Sequence, residues 1–240
     1  MATLKEGLSN AGLRGNGNGY KVVEVSTDTN DIIGMQLHPD AEYRFETFFG
    51  KVYSLGNALR FIKYENFKLN MLNKKLPHIE FRKFRKETQR DVKHYWDLAK
   101  LVIADRLVSD RELLKMINNE HGDDILNTRF IPYVKVRRGI IQTKVPNDKL
   151  KVYGVILSRL IQTLITEHGD IISDGSDEEY ADAMHAFKIN VWNDVAERVG
   201  STNLEEQNIA KGFFDITDKK LLDAFIGTDE TEETVETENE

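Results

Sequence analysis

Residues 149–168 read KLKVYGVILSRLIQTLITEH, and this stretch carries the clearest secondary-structure pattern in the chain. Its apolar side chains recur at the three- and four-residue spacing of one helix face, at Val152, Val155, Ile156, Leu160 and Leu164. That spacing predicts an amphipathic helix, which His168–Gly169 would end. Because an amphipathic helix must cover its apolar face, the stretch indicates a packed, largely helical protein.

Helical patterns recur on both sides of this stretch. Upstream, apolar residues repeat at helical spacing over 55–67, and a long charged run over 78–103 fits either one long helix or two shorter ones. Ser109 followed by Glu112 forms a capping-box pattern that predicts a helix start. Downstream, helices are predicted over 180–199, 204–210 and 217–225.

Two segments are typical of β-structure instead. Residues 20–26, YKVVEVS, alternate in polarity as one short strand does. Residues 129–145 are rich in Val, Ile and Tyr around Gly139, which favours a hairpin. The chain is therefore predicted to be mainly α, with a minor β-hairpin and strand element.

The composition of the two ends divides the chain into three parts. Residues 1–19 hold five Gly with Asn and Ser, which predicts a flexible arm. Residues 227–240 hold seven acidic residues and no basic one, which predicts a disordered acidic tail. A single helical domain is expected between them, over 20–226.

Composition also narrows the class of protein. The chain has 240 residues, a net charge of −7 and no Cys, so disulfides, thiolate zinc sites and cysteine nucleophiles are excluded. No apolar run approaches the roughly 18 residues of a membrane span, and no signal-peptide pattern follows the N-terminus. We expect a soluble, cytoplasmic protein that does not bind membranes.

The net charge hides a strong segregation. Residues 51–100 hold 13 basic and 5 acidic residues, whereas residues 201–240 hold 3 basic and 12 acidic ones. The basic stretch interleaves aromatic residues with Arg82, Lys83, Arg85, Lys86, Arg90 and Lys93. This pattern fits a single-stranded nucleic-acid surface for which the acidic tail competes, although its helical spacing favours a helix whose aromatics enter the core. A protein partner is a third alternative.

Motifs for metals, phosphate loops and hydrolytic nucleophiles are missing from the sequence. The six His residues show no metal-ligand spacing, and neither a dinucleotide fingerprint nor a Walker loop occurs. The acidic pairs Asp123–Asp124 and 174–179 fit helix caps or solvated surface better than a catalytic pair. The sequence thus predicts no metal and no cofactor.

Three segments, taken in order, resemble the NADAR family. They are Gly50–Lys63 (GKVYSLGNALRFIK), Trp96–Lys100 (WDLAK) with the later Leu113–Leu114 pair and the acidic turn 123–128, and Tyr153–Leu157 (YGVIL). Together they cover roughly residues 40–165. The resemblance implies a compact helical protein that acts on the N-glycosidic bond of an ADP-ribose-like or riboflavin-precursor substrate.

The resemblance also implies a binding site and a departure from the family. Arg60, Lys63 and Lys100 would meet the phosphates of a nucleotide-type small molecule, and Trp96 would stack on its ring. The family's catalytic glutamate, however, would fall at Gly56, which cannot serve as a general base or stabilise a cationic centre. The expectation is either an enzyme with relocated acids or a relative that only binds the nucleotide.

Overall fold

The structure is a computed structural model, and it describes residues 19–76, 95–138 and 141–198. Within these ranges the chain is mainly helical, as the sequence predicts. The α-helices, numbered here in chain order, are α1 (Ile32–Gln36), α2 (Leu55–Lys63), α3 (Tyr95–Val108), α4 (Arg111–His121), α5 (Lys151–Asp174) and α6 (Asp177–Arg198). Short 3-10 turns lie at Leu69–Met71, Gly122–Asn127 and Asp148–Leu150.

The strands form two small sheets. They are β1 (Lys21–Val25), β2 (Phe45–Thr47), β3 (Gly50–Val52), β4 (Thr128–Arg138) and β5 (Ile141–Pro146). One sheet has the order β1-β4-β5, with β1 parallel to β4 and β5 antiparallel to it. The other sheet is the antiparallel β2–β3 hairpin. A parallel pair needs a long crossover, and here the segment between β1 and β4 contains α1 to α4.

The helices cover one face of the three-stranded sheet. Val23, Val25 and Phe130 are buried on that face, and α5 packs against β4. Gly154 of α5 makes the closest approach, since a Cβ there would lie 2.6 Å from Pro132 Cδ. The absence of a side chain at this position lets helix and strand pack directly against each other.

Helix α3 lies at the centre of the core. Between residues 98 and 107 every side chain except that of Lys100 is buried. Around it pack α2, α4, α5, α6 and the β2 strand. A helix that is surrounded in this way is buried on all sides, which is why its sequence lacks a clear amphipathic pattern. Its charged residues Asp105 and Arg106 are buried together with the apolar ones.

Most of the predicted elements in the described ranges are confirmed. The strand at 20–26 and the hairpin at 129–145 are present, and they belong to the same mixed sheet. The Ser109 cap is wrong, because α4 is capped by Asp110, whose Oδ1 accepts from Leu113 N at 3.1 Å. Ser109 Oγ instead donates to Arg106 O at the end of α3.

The predicted end of α5 at His168–Gly169 is wrong, because the helix continues to Asp174 and buries Ile172 beyond that point. Val152 and Val155, predicted on its apolar face, are exposed.

Several predictions fall outside the described residues. These are most of the Gly-rich arm, the basic stretch from 77 to 94, the helices at 204–210 and 217–225, and the acidic tail. Among the helices that the structure describes, none has the length and apolar character to cross a membrane.

Candidate functional site

The β2–β3 hairpin and the start of α2 form the scaffold of the candidate site. Gly50 has a φ of 113°, a backbone conformation that glycine adopts without strain, and it starts β3. Ser54 then ends the extended segment and caps α2, its Oγ accepting from Asn57 N at 3.2 Å. These local features fix the direction in which α2 leaves the hairpin.

Asn57 fastens the segment after α2 to the same scaffold. Its side chain is buried, and its Nδ2 donates to Leu72 O and Lys74 O, both at 2.9 Å. Tyr53 N also donates to Leu72 O at 2.9 Å. Two residues of the Gly50–Lys63 motif therefore hold structure rather than face a ligand.

Gly56 is in close contact with the loop that precedes β2. Its N–H donates to Pro39 O at 2.6 Å, and a Cβ on Gly56 would overlap Asp40 Oδ1. The same Cβ would lie 2.7 Å from Arg60 Nη1. The space that a side chain at position 56 would need is thus occupied by the Asp40 carboxylate and the Arg60 guanidinium.

Asp40 and Arg60 form an ion pair at this point. Arg60 Nη2 lies 2.7 Å from Asp40 Oδ1, and the carboxylate remains partly open to solvent. A carboxylate in this position can act as an electrostatic group or as a base. We call His38, Asp40, Gly56 and Arg60 the Asp40 cluster.

His38 completes the Asp40 cluster. Its Nδ1 accepts from Asp40 N at 3.1 Å, which makes the other ring nitrogen the protonated one in the neutral imidazole. Burial lowers the pKa of His38, Asp40 opposes that effect, and Arg60 adds to it. The imidazole is therefore neutral at physiological pH.

Lys63 lies one turn after Arg60 on α2 and faces the start of α3. Its Nζ is 5.5 Å from the centroid of the Tyr95 ring and 5.8 Å from that of Tyr64. Tyr95 meets Trp96 edge to face, with 4.8 Å between the ring centroids. Burial raises the pKa of Tyr95, and the nearby Arg60 guanidinium partly offsets this.

Lys100 is directed elsewhere. Its Nζ forms an ion pair with Asp194 of α6. It also lines an open groove of about 480 Å³ together with residues of α5, including Arg159 and Thr163. Arg60, Lys63 and Trp96 are outside the lining of that groove.

The four site residues predicted from the sequence are thus divided between two places. Lys63 of α2 reaches the ring of Tyr95 at the start of α3, Tyr95 in turn contacts Trp96, and Arg60 lies one turn before Lys63, whereas Lys100 connects α3 to α6. Sequence reasoning missed Asp40, His38 and Tyr95. Asp40 stands in a loop 16 residues before Gly56, and no local pattern shows that these positions meet.

The other predictions about sites have different outcomes. The six basic residues of the nucleic-acid alternative, from Arg82 to Lys93, lie outside the described residues. Among the residues that are described, no group of three or more metal-ligating side chains could hold a metal ion. Comparisons with protein-family models, curated proteins and solved structures found no match to this chain.

Proposed function

We propose that this chain binds an ADP-ribose-type nucleotide where α2 meets α3, and that the Asp40 cluster acts on its N-glycosidic bond. Arg60 and Lys63 supply the positive charge that phosphates need, one helical turn apart on α2. Trp96, held edge to face by Tyr95, supplies an aromatic ring for stacking. We assign Lys100 to the attachment of α6, because its ammonium is engaged by Asp194.

The observation that carries the proposal is the position of Asp40. Its carboxylate fills the volume that a side chain at position 56 would occupy, which is where the NADAR resemblance implies an acid. Asp40, from a neighbouring loop, thereby supplies the negative charge that Gly56 lacks. Arg60 Nη2 holds the carboxylate in place at 2.7 Å.

Asp40 would serve in the cleavage of the bond between C1′ and nitrogen. As that bond breaks, its electron pair leaves with the nitrogen and positive charge develops on the sugar, where a carboxylate stabilises it. Water then adds to C1′ and loses a proton to the Asp40 carboxylate, which releases it to solvent. In this mechanism Asp40 is an electrostatic group and a base, and solvent supplies the proton to the leaving group.

Binding and cleavage are tested separately. Binding is measured by calorimetry with ADP-ribose and with riboflavin precursors, on the wild type and on Lys63→Gln. Loss of a phosphate contact weakens binding by about tenfold, since a charge-assisted hydrogen bond contributes about 1.5–3 kcal/mol. Lys115→Gln on α4 removes the same charge outside the site and leaves affinity unchanged. No binding to the wild type at millimolar ligand contradicts the whole proposal.

Cleavage is followed by chromatography of the products. Asp40→Asn keeps the size of the side chain and removes its charge, so we expect nucleotide binding to persist and turnover to fall by at least a hundredfold. The matched control is Asp170→Asn, an exposed position on α5. Equal turnover by both variants would remove Asp40 from the mechanism while leaving the binding proposal intact.

The alternative function remains a prediction of the sequence. It is binding of single-stranded nucleic acid by the basic stretch around Arg82–Lys93, with the acidic tail as competitor. Its test is salt-dependent binding that strengthens when residues 227–240 are deleted. Equal, negligible binding by the full-length and truncated chains would exclude it.

A further inference from the structure

The three-stranded sheet has a second face, opposite to the one that α5 covers. Side chains alternate between the two faces of a strand, so the residues next to buried Phe130 and Pro132 point away from α5. The register of β1, β4 and β5 then places one set of residues together on the second face: Tyr20, Glu24, Arg129, Ile131, Tyr133, Lys135, Arg137 and Lys144. We call this set the open sheet face.

The open sheet face belongs to the most basic part of the described chain. Residues 128–146, which span β4 and β5, contain five basic residues and no acidic one. Lys135 and Lys144 are direct cross-strand partners, an arrangement that repels unless something offsets it. A negative ligand along this ribbon would meet complementary charge.

Two acidic side chains offset part of this repulsion. Glu24 Oε1 lies 2.6 Å from Lys144 Nζ, and Asp28 Oδ2 lies 3.3 Å from Lys135 Nζ. Both lysines and both acids are partly open to water, so these pairs are weak and exchange readily for other anions. The two acids hold the lysines in position beside the face, to which Arg129 adds a further cation.

The aromatic residues of this face provide rings for stacking. Tyr20 is 45% exposed, and the Arg129 guanidinium lies 4.4 Å from the centroid of its ring. Arg129 is itself fixed by hydrogen bonds to Leu126 O at 2.7 Å and Thr128 O at 3.0 Å. The guanidinium therefore positions the partly exposed Tyr20 ring beside β4. Tyr133 is half-buried further along β4.

We propose that the open sheet face binds single-stranded nucleic acid. Cations paired with exposed aromatic rings are what such strands need, since the cations meet phosphates and the rings stack on unpaired bases. Tyr20 directly precedes Lys21, which pairs with Thr128, five residues before Tyr133, so the two tyrosines are separated by about 20 Å along the strands at about 3.3 Å per residue. That length accommodates a strand of about four nucleotides, within the usual range of such sites.

This surface is separate from the two functions considered above. It uses β1, β4 and β5, whereas the nucleotide proposal uses α2 and the start of α3. It also differs from the basic stretch around Arg82–Lys93. The proposal is therefore independent of the nucleotide site and of the basic stretch. Variants on each of the three surfaces distinguish the three functions.

The test is fluorescence anisotropy of the full chain with labelled 12-nucleotide oligo-U and oligo-dT. Tyr20→Ala weakens binding by at least about fivefold, the lower limit for loss of one stacked base, with an unchanged salt dependence. Tyr20→Phe keeps the ring and restores wild-type affinity. Lys135→Gln combined with Arg137→Gln makes the slope of log K against log salt shallower by about 1.4, since each single-strand phosphate contact contributes about 0.7.

The matched control is Arg159→Gln on α5, the helix that packs on the other side of the sheet, and it leaves binding unchanged. Circular dichroism melts that coincide with the wild type establish that each variant is folded. Absent binding at about 50 mM salt overturns the proposal, as does an equal effect of the Arg159 variant. It is also overturned if duplex DNA competes as well as single strands, or if only Arg82→Gln and Arg85→Gln abolish binding.

Discussion

Replacing Lys188 with Met would leave a buried carboxylate without its cation. Asp105 lies in the centre of α3 with 3% of its side chain exposed, and Lys188 of α6 reaches it with 2.6 Å between Nζ and Oδ1. Burial raises the pKa of Asp105, and the Lys188 ammonium and the Phe48 N–H oppose that effect. The pair therefore links α6, α3 and the β2–β3 turn.

The magnitude follows from the burial of the two partners. Removing one member of a fully buried pair costs about 3–5 kcal/mol, because the other charge loses its compensation. The Lys188 side chain is 38% exposed, so water screens this pair and a loss of about 2–3 kcal/mol is expected. For a chain of this size that lowers the melting temperature by about 4–12 °C.

The assay is urea unfolding of a double-mutant cycle, followed by circular dichroism at pH 7. Asp105→Asn alone costs less than Lys188→Met, because the freed ammonium can turn to solvent. In the double variant the methionine at position 188 faces a neutral asparagine at position 105 instead of an unpaired carboxylate. The loss of unfolding free energy in the double variant is therefore smaller than the sum of the two single losses by at least about 1 kcal/mol. Lys115→Met, which removes the partner of the largely exposed Glu112, costs less than about 1 kcal/mol.

The pH dependence provides a second check on the same variant. A raised folded-state pKa means that folded Lys188→Met binds a proton more readily than its unfolded chain does. Its stability relative to the wild type therefore recovers as pH falls from 7 toward the folded-state pKa of Asp105. The reasoning is refuted if Lys188→Met stays within about 0.5 kcal/mol of the wild type, or if its loss grows on acidification.

Three further changes test the packing of the sheet and its helices. Burial, and then the charge of nearby Lys21, lowers the pKa of His121, so the wild type loses stability as pH falls through about 6.5. His121→Leu removes the titrating group, so its urea unfolding midpoint changes less than that of the wild type between about pH 7.5 and 5.5. Gly154→Ala forces a Cβ against Pro132 and costs about 1–3 kcal/mol in thermal unfolding, and a gain in stability would contradict the close approach. Tyr153→Phe removes the 2.5 Å hydrogen bond to Leu37 O and costs about 1–3 kcal/mol by urea unfolding, whereas an unchanged midpoint would show that the bond is dispensable.

The elements that sequence analysis predicted are those whose burial is one-sided. α5 rests on the sheet and on other helices, so its buried residues recur at helical spacing, although Val152 and Val155 of the predicted apolar face are exposed. β1 alternates because one of its faces is buried. The β2–β3 hairpin has strands of only three residues. Its turn is Phe48–Phe49 rather than a pair such as Asn-Gly, so the usual hairpin signal is missing. Such a hairpin is stabilised by tertiary packing, which a local pattern does not contain.

The choice of the α4 cap shows a second limit of local patterns. Ser109 and Asp110 are adjacent, and both are favourable caps, so sequence preference alone does not separate them. The structure selects Asp110 because α3 ends at Val108 and the Ser109 hydroxyl serves the last turn of that helix. The competition is decided by where the preceding helix ends, which depends on packing around Leu107.

The candidate site shows the same limit at longer range. From the sequence, Gly56 reads as the loss of an acid. In the structure a residue larger than glycine at position 56 would displace Asp40 and Arg60, so the small residue and the carboxylate belong to one arrangement. A Glu reintroduced at position 56 would therefore add a second negative charge to occupied space, and repulsion from Asp40 would expel it. The chemistry proposed for the Asp40 cluster therefore depends on the side chains that fill the space beside position 56. These side chains come from other positions in the sequence, Asp40 from a separate loop, so the residue at position 56 alone does not indicate them.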